Sequence, residues 1–241
     1  MANPVIKDGG NMIMKPNPPK NVMKMNEWAK VARELQGEDL KQKIYDNVLV
    51  DLCGNLKGKR VLDYGAGPAV VASRVSGLGA DVSVYDISEE MRRIAESKLG
   101  AQKVFQDATS IPTNQFDIVL CNLVTCIVPE DEVARIARNI KNALSNSGTA
   151  YIGFCNPRIH DLPESVIDFR MPSGKKYEEN HEYKKMKKEG AYEIVELHRP
   201  IEWYSKVFEE AGLAITNIHF TPGYDVNGRT VNDFVIFELK K

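Results

Sequence analysis

The spacing of apolar residues separates a helical stretch near the N-terminus from a long region of alternating strands and helices. Between residues 27 and 52, apolar side chains recur every three to five positions, which predicts two helices divided at Gly37. From residue 60 onwards, short apolar runs predict strands over 60–64, 81–85, 103–105, 116–122 and 149–154. The intervening segments predict helices over 69–78, 88–99 and 131–144. This alternation is typical of parallel strands joined by right-handed crossovers.

The last part of the chain departs from this alternation. A predicted helix over 201–211 ends at Gly212, and two apolar strands, 213–220 and 233–239, follow it. Only a turn-rich segment lies between these strands, so they are predicted to pair antiparallel. The whole pattern predicts a doubly wound α/β fold. Its Rossmann-like sheet should have seven mostly parallel strands and end in an antiparallel hairpin.

The domain organisation follows from the same pattern. Residues 1–25 contain four prolines and no apolar period, which predicts a flexible segment. Residues 26–241 are long enough for one domain, with a helical cap over 26–56. A charged insertion over 156–200 interrupts the alternation before the last helix and is predicted to form a lid over a substrate pocket.

Composition narrows the classes of partner. The chain has 32 basic and 33 acidic residues, so its net charge of −1 does not favour nucleic acid as a partner. No apolar run reaches the roughly 20 residues of a membrane span, and no secretory signal precedes the domain. Four cysteines without a Cys-x-x-Cys pair are typical of buried thiols in a reducing compartment. We therefore expect a cytoplasmic protein; the oligomeric state is left open.

The main chemical signal is the turn Asp63-Tyr64-Gly65-Ala66-Gly67 between the first predicted strand and the next helix. Glycines in such a turn permit unusual dihedral angles and close approach of the backbone to a ligand. Two acids follow in register, Asp86 after the second strand and Asp107 after the third. An acid about 20 residues after the turn can accept hydrogen bonds from two ribose hydroxyls. Each acid alone could be a turn or helix-flanking residue, but together they indicate a nucleotide site.

At these positions, and over residues 28–239, the chain resembles the class I S-adenosylmethionine-dependent methyltransferases. The resemblance implies that the glycine turn lies against the methionine part of S-adenosylmethionine, Asp86 binds the ribose, and Asp107 with Ala108 binds the adenine. The segments 84–91 and 116–122 match two further motifs of the family, and Ala69 departs from it by replacing a third glycine. The implied cofactor-binding residues are Asp63, Gly65, Ala66, Gly67, Asp86, Ile87, Met91, Asp107, Ala108 and Asn122.

The methyl acceptor is less visible in the sequence. Residues 122–125 lack the Asn/Asp-Pro-Pro-aromatic motif of enzymes that methylate amino groups of nucleic acids, and no metal-ligand spacing is present. We predict a small-molecule acceptor methylated on O or N. Three histidines fall in the insertion, and His160, just after the fifth strand, is the candidate catalytic residue. His181 is interpreted as part of a solvated face. The candidate acceptor-binding residues are Tyr45, Thr125, Arg158 and His198.

Three alternatives remain open at this point. An RNA- or protein-directed methyltransferase would share the cofactor motifs. A nicotinamide-dependent oxidoreductase would share the glycine turn, although Asp63 before the turn, the missing third glycine and the terminal hairpin favour a methyltransferase. A homologue that binds the cofactor without catalysis has the same sequence signals.

Overall fold

The structure, a computed structural model, describes residues 42–165, 167, 169–186 and 193–241. The predictions for residues 1–25, for the helical pattern before residue 42 and for the break at Gly37 lie outside the described residues. The part of the cap that is described consists of a π-helical turn, Gln42–Asp46, and the short helix α1, Asn47–Leu52.

One seven-stranded sheet organises the described chain, in the order β3-β2-β1-β4-β5-β11-β8. Its strands are β1 (Arg60–Tyr64), β2 (Asp81–Tyr85), β3 (Val104–Phe105), β4 (Phe116–Asn122), β5 (Leu144–Cys155), β8 (Ala214–Phe220) and β11 (Phe234–Lys240). The first five strands are parallel, whereas β11 runs antiparallel to both β5 and β8. The predicted fold class, including the antiparallel hairpin at its end, is confirmed.

Helices cover both faces of this sheet, because alternate residues of the strands are apolar on each face. The helices of the sheet region are α2 (Val70–Gly77), α3 (Glu89–Leu99), α4 (Glu130–Ala143) and α5 (Ile201–Glu210). Val61 of β1 packs in one core with α1, α2 and α3, whereas Leu62 packs in a second core with α4 and α5. Within the described residues, no helix has the length and apolarity needed to cross a membrane.

The fifth strand begins earlier than the sequence predicts. Leu144 already pairs with Phe116, and five residues of β5 then span the distance that two residues of β4 span, so that Ile118 pairs with Thr149. The side chain of Leu144 is fully buried, and this burial holds the chain in the sheet before the irregular segment. The segment between the predicted helix 131–144 and the predicted strand 149–154 is therefore a bulge inside the strand.

Two short hairpins were not predicted. Strands β6 (His181–Met186) and β7 (Glu193–His198) pair within the insertion, and β9 (Tyr224–Val226) pairs with β10 (Arg229–Val231). The second hairpin turns at Asn227 and Gly228, both with positive φ, which is the Asn-Gly signal for a two-residue turn. The first hairpin has no apolar alternation, so it depends on tertiary contacts that a sequence pattern does not reveal.

Candidate functional site

The glycine turn after β1 is held by backbone hydrogen bonds to β2. The N–H groups of Gly65 and Ala66 both donate to the carbonyl of Tyr85, over 2.7 and 3.0 Å. Gly65 and Gly67 have φ of 78° and 53°, values that glycine adopts at little cost. A Cβ atom on Gly65 would lie 2.4 Å from Val124 Cγ2, whereas one on Gly67 would meet nothing within 4 Å. Packing therefore requires Gly65, while Gly67 borders open space into which a ligand can approach.

Asp86 joins the glycine turn to the start of α3. One carboxylate oxygen accepts a hydrogen bond from the N–H of Gly67, and the other accepts one from the N–H of Ser88, each over 2.8 Å. Burial raises the pKa of Asp86, and these two hydrogen bonds partly offset that effect. A carboxylate offers about four lone-pair sites, so both oxygens can each accept one more hydrogen bond. This arrangement fits a ribose diol beside the turn.

Asp107 lies at the carboxyl end of β3, beside the end of β2 and on the same edge of the sheet. Its Oδ1 atom accepts hydrogen bonds from the backbone and the hydroxyl of Thr109, and these bonds lower its pKa. The side chain is exposed, and Ala108 begins a 3₁₀ turn directly after it. An exposed carboxylate followed by a turn fits the contact with adenine that the resemblance implies.

The remaining cofactor candidates differ in exposure. Ile87 is partly exposed, whereas the Met91 side chain is buried and its N–H is capped by Ser88. Asn122 ends β4, and its amide oxygen accepts a 2.9 Å hydrogen bond from the hydroxyl of Tyr45, a residue with no exposed surface. Tyr45, which is predicted to bind the methyl acceptor, therefore contacts Asn122, which is predicted to bind the cofactor.

Ala69, which replaces the third glycine of the motif, keeps a glycine-like conformation. Its φ of 56° places it in the left-handed region, just before α2 begins at Val70. An L-residue in this conformation costs about 1–2 kcal/mol. The Ala69 methyl is fully buried among α2 and the neighbouring strands.

Gly65→Ala should destabilise the protein by about 2 kcal/mol, because the new methyl is strained at this φ and overlaps Val124. Chemical denaturation measures the change. Gly67→Ala is the matched control, since it introduces the same strain without the overlap. Combining Gly65→Ala with Val124→Ala should recover part of the loss. Equal destabilisation by both glycine variants, with no rescue, would contradict this account.

The insertion folds over the loop that follows β4. Leu197 of β7 donates its N–H to the carbonyl of Cys126 over 2.7 Å. The buried guanidinium of Arg199 donates to the carbonyls of Thr125 and Val128, over 2.9 and 2.7 Å. Arg199 also lies 4.8 Å from the centre of the Trp203 ring. The residues predicted from the sequence do not include Arg199. Its position between His198 and Pro200, directly before the last helix, is the sequence feature that could have indicated it.

The acceptor-side candidates do not form one cluster. Thr125 is fully buried, and its hydroxyl oxygen has no hydrogen-bond partner. Arg158 is exposed and forms a 2.8 Å ion pair with Glu202, which also accepts a hydrogen bond from Tyr177. Hydrogen bonds with Tyr177 and Glu202 raise the pKa of Arg158. Despite partial burial, hydrogen bonds from its own backbone, Tyr177 and Arg158 lower the pKa of Glu202.

Three histidines of the insertion converge on the ring of Phe169. The centroids of the His160 and His198 rings lie 6.1 and 5.5 Å from that ring, and His181 stacks on His198 at 4.6 Å. One nitrogen of His198 contacts the carbonyl of Tyr177 over 2.8 Å, and burial lowers the pKa of His198. His181 therefore belongs to a packed cluster, and its interpretation as a solvated residue is wrong.

Each of these histidines has one buried ring nitrogen that finds no hydrogen-bond partner in the described residues: Nδ1 of His160, Nε2 of His181 and Nδ1 of His198. Beside the cluster, a small cavity lies between the loop that follows β4, the carboxyl end of β5 and the β6–β7 hairpin. It is lined by Cys126, Phe154, Cys155, Asn156, Pro157, Ile167, Phe169, Tyr183, Glu196, Leu197, His198, Arg199 and Tyr204. The buried hydroxyl of Tyr183 donates to the carboxylate of Glu196 in this cavity. In the described part of the chain, no three His, Cys, Asp or Glu residues are arranged to hold a metal ion.

The sheet order defines an open, doubly wound α/β fold, a class that binds ligands at the carboxyl ends of its strands, where the glycine turn and the acids lie. Residues 62–152 match the family described as Methyltransferase domain. A ubiquinone biosynthesis O-methyltransferase of Thiobacillus denitrificans is 33% identical over 102 residues, covering 38% of this chain and 44% of that protein. A protein of the same name from Aeromonas salmonicida is 25% identical over 185 residues, 72% of each chain.

The fold has solved relatives as well. A crystal structure of an S-adenosylmethionine-dependent methyltransferase from Clostridium acetobutylicum covers 89% of this chain and 98% of its own, with 19% identity and a TM-score of 0.58. The chain spans less than half the length of the Thiobacillus relative. Residues 62–152 therefore carry the match to a methyltransferase domain, and the resemblance to class I S-adenosylmethionine-dependent methyltransferases that the sequence predicts is confirmed.

Proposed function

We propose that the protein transfers a methyl group from S-adenosylmethionine to an O or N atom of a small-molecule acceptor. One observation supports the cofactor assignment. The carboxylate of Asp86 accepts a hydrogen bond from the N–H of Gly67, which borders open space, and each of its two oxygens can accept one more hydrogen bond. Asp63, Gly65, Ala66 and Asn122 face the methionine part of the cofactor. Ile87, Met91, Asp107 and Ala108 surround its adenosine part.

When bound, the cofactor supplies an electrophilic methyl group on a sulfonium. The chain has to align the acceptor atom with that methyl and to receive the proton that the acceptor loses. The insertion is proposed as the wall of the acceptor pocket. Its contacts with Thr125, Cys126 and Val128 support this role, because they fix it beside the carboxyl end of β4. Ligands of open parallel sheets bind at that edge.

His160 is proposed as the residue that takes the proton or orients the acceptor. Its Nδ1 atom and the ring nitrogens of His181 and His198 that have no partner among the described residues favour a ligand that donates hydrogen bonds, such as an O–H or N–H group. Thr125, His198 and Arg158 complete the proposed acceptor side. The buried hydroxyl of Thr125 and ring nitrogen of His198 offer further hydrogen-bonding atoms, whereas Arg158 lies at the exposed rim with Glu202.

The proposed acceptor is a small cytoplasmic metabolite. Both sequence relatives are named O-methyltransferases, which favours oxygen over nitrogen as the methylated atom. The nearly neutral net charge gives no support to a nucleic-acid substrate.

The first experiment is calorimetric titration with S-adenosylhomocysteine, the product of the cofactor, and with NADH. We expect S-adenosylhomocysteine to bind and NADH not to bind, because the acids are placed for adenosine and a methionine part rather than a dinucleotide. Transfer of labelled methyl from S-adenosylmethionine to a panel of phenols, alcohols and amines then identifies the acceptor class. Binding of NADH alone would refute the proposed function.

A further inference from the structure

We propose that Tyr45 is a positioning residue that orients the Asn122 amide, and that the amide N–H of Asn122 binds the carboxylate of the methionine part of the cofactor. This inference rests on the proposed function. It gives Tyr45 a role other than binding the methyl acceptor. It also explains why the buried amide nitrogen of Asn122 has no hydrogen-bond partner among the described residues.

The strands place Asn122 at the cofactor edge. Asp63 pairs with Leu120, so Asn122 lies two residues further along β4, beside the glycine turn. Side chains alternate between the two faces of a strand. Leu120 packs in the same core as Tyr45, whereas Cys121 packs in the opposite core. The Asn122 side chain therefore projects from the face that carries Tyr45, and the hydrogen bond between them agrees with this.

The Tyr45 hydroxyl has little freedom to move. A Cβ atom on Gly153 would lie 2.0 Å from this hydroxyl oxygen, so the phenol occupies the space that glycine leaves in β5. The ring of Phe234 lies 4.9 Å away, between centroids, and Tyr45 is fully buried. Burial raises the pKa of Tyr45 well above its ordinary value, which keeps the hydroxyl protonated as a donor. A fixed donor selects the orientation of the amide in which the oxygen faces Tyr45.

That orientation turns the amide nitrogen of Asn122 away from Tyr45. The nitrogen is buried and has no hydrogen-bond partner among the residues that the structure describes. A buried N–H donor without a hydrogen-bond partner destabilises the folded protein. A ligand that supplies a hydrogen-bond acceptor at this nitrogen therefore binds more tightly. On the methionine part of the cofactor, the ammonium group only donates hydrogen bonds, whereas the carboxylate only accepts them. The carboxylate is therefore the matching group.

The test compares two ligands on three proteins by calorimetry. The ligands are S-adenosylhomocysteine and its decarboxylated analogue, which keeps the ammonium and lacks the carboxylate. We expect Tyr45→Phe to weaken the binding of S-adenosylhomocysteine about 5- to 10-fold, because the amide of Asn122 is no longer oriented. We expect Asn122→Ala to weaken it about tenfold or more, because the hydrogen bond to the carboxylate is lost. The affinity for the decarboxylated analogue should stay unchanged in both variants.

Tyr151→Phe is the matched control. Its hydroxyl donates over 2.8 Å to the carbonyl of Leu52, so it also links the N-terminal helical segment to β5 but does not contact Asn122. It should lower thermal stability much as Tyr45→Phe does and leave both affinities unchanged. Equal weakening of both ligands in Tyr45→Phe, or no weakening, would overturn the proposal. Failure of the unmodified protein to bind S-adenosylhomocysteine would instead refute the proposed function.

Discussion

His160→Ala should lower turnover about 100-fold or more while leaving the affinity for S-adenosylhomocysteine nearly unchanged. The reason is that a positioned proton acceptor contributes roughly 10²- to 10⁴-fold to a rate, and its removal changes no contact of the cofactor turn. The imidazole is partly exposed and packs edge-on against Phe169, and its buried Nδ1 has no hydrogen-bond partner within the described part of the chain. Steady-state rates with the identified acceptor, together with calorimetry, measure the two effects.

The matched control is His219→Ala. His219 lies on β8 and forms a 2.8 Å ion pair with Glu238, outside the insertion. Its removal should leave turnover unchanged. A cofactor-bound crystal structure provides a second check, because it shows on which side of the sheet the sulfonium lies. Wild-type turnover in a folded His160→Ala variant would contradict the proposed role, and a sulfonium on the opposite side of the sheet from the insertion would contradict the acceptor wall.

Asp86→Ala should weaken cofactor binding by about 1.5–3 kcal/mol, or roughly 10- to 150-fold, the scale of hydrogen bonds to a charged group. The variant loses the acceptor for ribose and also the bonds that order Gly67 and Ser88. The fold should survive, because Asp86 lies at a strand end and outside both cores. Asp81→Ala, at the opposite end of β2, is the control and should bind normally.

The pH dependence gives Asp86 a separate test. Burial raises its pKa in the folded protein, and only the ionised form accepts hydrogen bonds from a ribose through both oxygens. Affinity should therefore be full above the raised pKa and fall as the pH is lowered through it. Asp86→Asn should remove this decline, because the amide does not titrate. An unchanged affinity in a folded Asp86→Ala variant would show that Asp86 only organises the turn and the next helix.

The placement of the three acids at one edge of the sheet was largely predictable from the sequence. Parallel strands place their carboxyl ends at one edge, so Asp63, Asp86 and Asp107 follow from strand order once the alternation is recognised. Ser88 capping α3 is equally local, because the cap and the acids of the first turn are neighbours in the chain. The Asn227-Gly228 pair also predicts a hairpin from local sequence. The hairpin was not predicted because this pair lies in a segment with many other turn residues.

The acceptor side was decided by tertiary structure. Three histidines spread over residues 160–198 meet only because the charged β6–β7 hairpin docks on the loop after β4, through Leu197 and Arg199. The partner of Tyr45 lies 77 residues away, and the space for its hydroxyl exists only because residue 153 is glycine. The sequence determined the sheet and the acids at its edge because periodicity and turn chemistry are local. The structure decided which buried polar atoms meet, because those contacts depend on how distant segments pack.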